Sequence, residues 1–124
     1  KINPNLAQAY NDRGLIYNKQ GKFTQAISDF DKVIEINSST TLALGYENRG
    51  LAYAGQNNFI LAILDFTKAI ELNPSFTQAS HDRGYTYYVT KEYGKAWLDV
   101  HKAEALGFNP TFLDALKEAS GREF

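Results

Sequence analysis

One short motif occurs three times in this 124-residue chain at nearly constant spacing. The tripeptides that begin at residues 12, 48 and 82 read Asp-Arg-Gly, Asn-Arg-Gly and Asp-Arg-Gly, so their glycines lie 36 and 34 residues apart. A tyrosine follows each glycine by three residues, and an alanine follows it by twelve. Such a period is typical of stacked helical hairpins, in which one repeat cannot bury its apolar face without its neighbours. The sequence therefore predicts a repeat architecture.

Each repeat contains two apolar stripes with helical spacing. In repeat one the first helix, helix A, carries Tyr10, Gly14 and Tyr17 at the i, i+4, i+7 positions of one face. The second, helix B, carries the stripe Phe23, Ala26, Ile27, Phe30, Val33 and Ile34. We predict an all-α fold, an alpha-alpha superhelix of antiparallel helix pairs in a single domain, 1–124. Its repeats are expected at 7–40, 43–76 and 77–110.

Small and charged residues indicate how the two helices of a repeat meet. The repeated glycine and alanine suit points where helix backbones approach closely, because a larger side chain would push the axes apart. An arginine precedes each glycine, and an aspartate follows that arginine by sixteen residues, as in Arg13 with Asp29. We predict that each arginine makes a forked bond to its aspartate across the hairpin and sets the register of the two helices.

Proline and glycine indicate where helices begin and end. Asn73-Pro74 and Asn109-Pro110 each predict a helix start, since proline is tolerated in the first helical turn. After the second of these, Phe112, Leu113 and Leu116 share one face ahead of Gly121, which predicts a capping helix at 110–120. At the other end, Ile2-Asn3-Pro4 parallels Leu72-Asn73-Pro74, so we expect an upstream helix in a longer parent protein.

The pattern resembles the tetratricopeptide repeat family, whose signature places aromatic and small residues and a proline at fixed offsets. Repeat two matches it throughout, with Tyr46, Gly50, Tyr53, Ala62, Phe66, Ala69 and Pro74. Repeat one has Val33 and Ser38 at two of these places, and repeat three has Ser80, Val100 and a displaced Pro110. The resemblance implies a superhelix whose concave groove, lined by the A helices, binds a peptide or a partner protein.

The face of helix A opposite its packing stripe is the candidate site. By helical spacing it carries ten residues that we predict to contact a partner: Asn11, Asp12, Leu15, Glu47, Asn48, Leu51, His81, Asp82, Tyr85 and Tyr88. Leucine and tyrosine on such a face favour contact with another molecule over simple solvation. Asn48 is expected to hydrogen-bond a peptide backbone. The acidic residues favour a neutral or basic segment.

One function within the family can be examined at matching positions. Chaperone-binding members grip a C-terminal carboxylate with lysine, asparagine, asparagine, lysine and arginine. The corresponding places here hold Asn11, Leu15, Asn48, Gln78 and Asp82, so only Asn48 matches. Because the basic residues are missing and acidic groups lie beside them, we predict no binding of a chaperone tail.

Composition and motifs argue against other functions. Thirteen basic against fourteen acidic residues give no positive field for nucleic acid or an anionic membrane. His81 and His101 have no second ligand at metal-binding spacing, and His81 and Asp82 lie on adjacent helical positions that should not face each other. We therefore predict no enzyme activity, no metal and no cofactor. The chain has no cysteine, which leaves the compartment open, with the cytoplasm favoured.

A second, structural function is also consistent with the sequence. The segment could serve as a spacer, or stack with further repeats or with copies of itself through its uncapped N-terminal end. The start at Ile2-Asn3-Pro4 motivates this alternative, because it leaves the first A helix without an upstream neighbour.

Overall fold

The computed structural model describes residues 4–121, which form seven α-helices and no β-strand. The helices are α1 (Pro4–Lys19), α2 (Phe23–Ile36), α3 (Leu42–Gly55), α4 (Phe59–Leu72), α5 (Thr77–Val89), α6 (Tyr93–Ala105) and α7 (Leu113–Ser120). The all-α prediction is confirmed. Ile2 and Asn3, on which the expectation of an upstream helix depends, lie outside the described residues.

The helices pack as three successive hairpins. The closest associations are α1 with α2, α3 with α4 and α5 with α6, which are the A and B helices of the three repeats. Each B helix also packs on the next A helix, as α2 does on α3 and α4 on α5. The A helices α1, α3 and α5 contact one another in sequence. They therefore form one continuous layer, which we call the A-helix face.

The hairpin turn is the same in all three repeats. In each turn, the second residue after the end of helix A has a left-handed backbone, with φ of 72° at Gly21, 62° at Asn57 and 65° at Lys91. In each turn the residue that follows donates its N–H to the repeated tyrosine's carbonyl at 2.8 Å. Only glycine adopts positive φ without cost, and asparagine tolerates it better than lysine. The turn is therefore set by the packing of the hairpins and not by one residue type.

Glycines mark the contact between the helices of a hairpin, as predicted. A Cβ added to Gly14 would lie 2.5 Å from the ring of Phe30, and one added to Gly50 would lie 2.6 Å from the ring of Phe66. Both phenylalanines are fully buried. The missing side chain thus makes room for an aromatic ring of helix B, which is why the glycine recurs with the phenylalanine sixteen residues later.

The predicted arginine–aspartate forks are present in all three hairpins. Arg13 donates two hydrogen bonds to Asp29 at 2.6 and 2.8 Å. Arg49 does the same to Asp65 at 2.8 and 2.9 Å, and the third pair, Arg83 with Asp99, has bonds of 2.7 and 2.9 Å. The aspartates are buried, so each fork neutralises a carboxylate inside the hairpin.

The two Asn-Pro steps at residues 73 and 109 do not start helices, which corrects the sequence prediction. Helix α4 ends at Leu72 and α5 begins only at Thr77, because the Asn73 side chain accepts the Ser75 N–H at 3.2 Å and closes a turn. The capping helix likewise begins at Leu113 and not at residue 110. Asparagine competes with helical hydrogen bonding through such local side-chain bonds, so the turn forms before the helix.

The capping helix covers the end of repeat three, as predicted. Phe112 and Leu116 are buried in one apolar cluster with Ala96, Trp97 and Val100 of α6. Trp97 is 3% exposed and donates its indole N–H to Ser120 at 3.2 Å. Helix α7 ends at Gly121, whose φ of 71° closes the last turn.

Candidate partner-binding face

Three helices present the residues that the sequence singles out as a binding face. All ten lie on α1, α3 and α5, the helices of the A-helix face. Three of them are exposed: Asp12, Leu51 at 37% and Tyr85 at 48%. Leu15, His81 and Tyr88 are half-buried. The accessible part of the face is therefore largely apolar and aromatic, with Asp12 as its exposed acid.

The other four predicted residues are buried and offer little surface to a partner. Asn11, Glu47, Asn48 and Asp82 are each exposed by 9% or less. The prediction treated the whole polar side of helix A as accessible, but neighbouring A helices pack so closely that side chains between them are enclosed. These four positions, which looked solvent-facing, therefore lie in the contacts between repeats.

The contact between α1 and α3 contains a buried pair of amides, Asn11 and Asn48, and we call this pair the first junction. Asn48 donates its side-chain N–H to the Asn11 side-chain carbonyl at 2.8 Å. Asn18 adds an N–H to the Asn48 backbone carbonyl at 3.3 Å. Because an amide carries both a donor and an acceptor, the buried pair can hydrogen-bond to itself across the two helices.

The contact between α3 and α5 is made by two carboxyls at the equivalent positions, and we call it the second junction. Glu47 is 2% exposed and Asp82 is 9% exposed. Burial raises the pKa of Glu47 well above its ordinary value, and the hydrogen bond to Asp82 and the negative charge of Asp82 act in the same direction. Burial and the neighbouring Asp82 carboxyl therefore both favour the neutral form of Glu47.

His81 lies beside this junction, contrary to the expectation that it would not face Asp82. Its Nδ1 is 3.1 Å from Asp82 Oδ1, because Asp82 turns back towards its own helix. Nε2 lies 3.1 Å from the hydroxyl of Thr111, in the segment that leads to α7. The imidazole packs edge-on against the rings of Phe108 and Phe112. His81 therefore links repeat three to the capping helix.

Two apolar pockets lie on the A-helix face, each between neighbouring A helices. The first, about 440 Å³ in volume, is lined by Leu15, Asn18, Lys19, Phe23, Leu51 and Gly55. The second, about 270 Å³, is lined by Ala54, Asn57, Phe59, Tyr85, Thr86 and Val89. Phe23 and Phe59 open the B helices of successive repeats. Phe23 was predicted only as part of the apolar stripe of helix B, although a phenylalanine recurs 36 residues later, at Phe59.

A larger cavity, about 790 Å³, lies away from these pockets. It is lined by the loop after α2, by the first three residues of α3 (Leu42, Ala43 and Leu44), and by Leu72, Asn73 and Phe76 at the end of α4 and in the loop after it. None of the ten predicted residues lines it. The cavity lies at the connections between repeats, away from the two apolar pockets and from the ten predicted residues.

Within residues 4–121, no group of three or more histidine and acidic side chains is arranged to hold a metal ion. No helix in this range combines the length and the apolar character that a membrane crossing needs.

Comparisons with known proteins place these features in a family. The family model described as Tetratricopeptide repeat matches residues 7–39 and 43–76, more than half of the chain. No curated protein sequence matched the chain at a significant level.

Several solved structures are similar over nearly the whole chain. The first TPR of Spaghetti (RPAP3), bound to the HSP90 peptide SRMEEVD, is 26% identical with a TM-score of 0.86, covering 97% of this chain and 94% of that one. The second TPR domain of human RPAP3, in complex with the HSP70 peptide SGPTIEEVD, is 27% identical with a TM-score of 0.83, covering 95% and 98%. The Arabidopsis OM64 TPR domain is 24% identical, with a TM-score of 0.86 and coverage of 95% and 97%.

Proposed function

The chain belongs to the tetratricopeptide repeat family, and we propose that its A-helix face binds an extended segment of a partner protein. The observation that carries the proposal is the pair of apolar pockets, one between α1 and α3 and one between α3 and α5. Concave sites with apolar linings and a few polar groups are the usual form of ligand sites. Similar domains bound to HSP90 and HSP70 peptides support a peptide as the ligand.

The spacing of the two pockets restricts the peptide. Neighbouring packed helices lie about 8–10 Å apart, so the pockets are separated by roughly that distance. A polyproline II segment rises about 3.1 Å per residue and returns to the same face every third residue, a repeat of about 9 Å. We infer that the ligand presents two apolar side chains at positions i and i+3.

The residues at the family's clamp positions favour a neutral or basic segment over an acidic chain end. The peptides in the two RPAP3 complexes both end in EEVD. At the positions where the family resemblance implies basic clamp residues, this chain has no lysine or arginine, and it adds Asp12, which is exposed. An acidic C-terminus would find no cation to pair with at these positions and would be repelled by Asp12. Asn11 and Asn48 are already bonded to each other.

A peptide selection tests this proposal. Phage-displayed 12-residue peptides would be selected on the domain, and the enriched sequences synthesised with a fluorophore for anisotropy titration. We expect apolar residues three apart without a terminal acidic cluster, and we expect the peptide SRMEEVD not to bind. Leu51→Ala and Tyr85→Ala should each weaken binding about tenfold, because each removes a pocket wall.

A matched control separates the face from the rest of the surface. Leu98 is 71% exposed on α6, a B helix, so Leu98→Ala removes an exposed apolar side chain away from the pockets. This variant should bind the selected peptides as the parent does. Equal loss in all three variants, or tight binding of SRMEEVD, would contradict the proposed site and its charge preference.

Self-assembly remains a second candidate because the outer side of α1 is partly apolar. Leu6 is 49% exposed and, with Ala9, Tyr10 and Arg13, lines a pocket of about 300 Å³. If this side stacks on another copy, sedimentation velocity should show dimers at high protein concentration, and Leu6→Asp should abolish them. A monomer at all concentrations would eliminate self-assembly and leave peptide binding unaffected.

A further inference from the structure

We propose that Glu47 and Asp82 share one proton across the second junction at neutral pH, and that this proton ties repeat two to repeat three. The proposal goes beyond peptide binding, since it holds for the chain without a partner. It makes the packing of α3 against α5, and with it the shape of the A-helix face, sensitive to proton concentration.

The hydrogen-bonding groups at the junction require the proton. Both carboxyl oxygens of Glu47 and Oδ2 of Asp82 are buried, and no N–H or O–H in the described residues donates to them. Asp82 Oδ1 is already occupied, by the Gln78 amide at 3.0 Å and by His81 at 3.1 Å. Two ionised carboxylates cannot bond each other. With a proton on Glu47, its O–H donates to Asp82 and two buried groups are satisfied by one bond.

The surrounding charges do not supply an alternative partner. On α1, α3 and α5 each arginine bonds the aspartate sixteen residues later, on the B helix of its own hairpin. Arg49 also pairs with Asp31 of α2. By helical position, this pair lies on the side of α3 that faces away from Asp82. Asp12 of α1 is exposed and accepts from Gln8. His81 is therefore the titratable neighbour that the test has to separate from the carboxyl pair.

The direction of the pH effect follows from the raised pKa of Glu47, which burial causes first and Asp82 reinforces. The folded chain holds a proton that the unfolded chain releases near the ordinary glutamate pKa. The stabilisation is fully present below the unfolded pKa and is lost as pH rises through the folded pKa. For one proton, the folding equilibrium constant falls up to about tenfold per pH unit within that window.

Urea unfolding from pH 5 to pH 9 tests the proposal in three variants. Glu47→Gln supplies an amide donor to Asp82 without a titrating group. The free energy of unfolding of this variant should therefore not decline between pH 5 and pH 9 as that of the parent does. Glu71→Gln removes an exposed glutamate of α4 as a charge-matched control, and it should keep the decline. His81→Gln should also keep it. A decline that persists in Glu47→Gln, or disappears in His81→Gln, would overturn the assignment to the carboxyl pair.

A direct measurement on the unmodified protein covers the case in which a variant does not fold. The side-chain carboxyl carbon of Glu47 would be followed by ¹³C NMR as a function of pH. We expect it to remain in the protonated position at pH values above the ordinary glutamate pKa. If Glu47 titrates at the ordinary glutamate pKa, the shared proton does not exist. Neither experiment uses a peptide, so failure here is distinct from failure of the binding proposal.

Discussion

The first and second junctions occupy equivalent positions but differ in chemistry. At the first, α1 and α3 meet through the neutral pair Asn11 and Asn48, which are joined by a direct hydrogen bond. At the second, α3 and α5 meet through Glu47 and Asp82, where both Glu47 oxygens and Oδ2 of Asp82 lack a donor. The repeat architecture thus determines where a buried polar pair lies, while the residue types decide whether that pair depends on protonation.

The packing of each B helix against the next A helix differs between the repeats as well. Gly45 of α3 lies where a Cβ would be 2.8 Å from Val33 of α2. The equivalent position of α5, five residues before the repeated glycine in both helices, is Ala79. Ala79 is fully buried in a cluster with Ala69 and Ile70 of α4. Helix α3 therefore approaches α2 too closely for a methyl group, whereas α5 accommodates one against α4.

The largest effect is expected when the second junction is copied onto the first. Asn11→Glu combined with Asn48→Asp places two carboxyls where two amides now bond, and we expect a loss of about 3 kcal/mol in the free energy of unfolding at pH 8. The loss should be smaller at pH 5, because the new pair can then hold a proton. Urea denaturation at both pH values measures this difference.

Steric effects are separated from charge by a second variant. Asn11→Gln adds the same methylene group without a carboxyl, so its cost should not change between pH 5 and pH 8. If the double variant loses the same stability at both pH values, the difference in chemistry between the junctions has no thermodynamic consequence.

A smaller loss of stability is expected where α2 and α3 approach each other closely. Gly45→Ala should lower the free energy of unfolding by about 1–2 kcal/mol, because overpacking against Val33 exceeds the gain in helix propensity. Gly94→Ala is the matched control, since its added Cβ meets nothing within 4 Å. Thermal unfolding of both variants provides the comparison. If the two substitutions stabilise the protein equally, α2 and α3 can separate at no cost.

The smallest effect on stability is expected at the contact between His81 of α5 and Thr111, in the segment that leads to α7. Thr111→Val removes the hydroxyl that lies 3.1 Å from His81 Nε2, and we expect a loss of about 0.5–1 kcal/mol for one neutral hydrogen bond. Thr111→Ser keeps the hydroxyl and should retain most of the stability in urea denaturation. If Thr111→Val is as stable as the parent, the bond between Thr111 and His81 contributes nothing to the free energy of unfolding.

Much of the fold could be predicted because it depends on contacts within one hairpin. The glycine that faces Phe30 and the fork between Arg13 and Asp29 both connect positions sixteen residues apart. Such pairs recur once per repeat, so their spacing is visible in the sequence. The helix starts after the Asn-Pro steps were predicted wrongly, because Asn73 forms a local turn with Ser75 that proline statistics do not reveal.

The candidate site was predicted less completely. Helical spacing placed Leu51 and Tyr85 on the exposed side of helix A, and both are exposed. It could not distinguish them from Glu47, which lies one turn before Leu51 on the same helix and is buried by the next repeat. It also did not reveal that Phe23 and Phe59 line the two pockets.

The sequence by itself determined the repeat, the hairpins and the capping helix, because these follow from apolar periodicity and from residue pairs at constant separation. The tertiary structure alone decided which polar residues of the A helices are enclosed. That outcome depends on the distance between helices that lie one whole repeat apart in the chain, and no local pattern encodes it. Glu47 is therefore buried against Asp82, while Asp12, which matches Asp82 in repeat one, remains exposed.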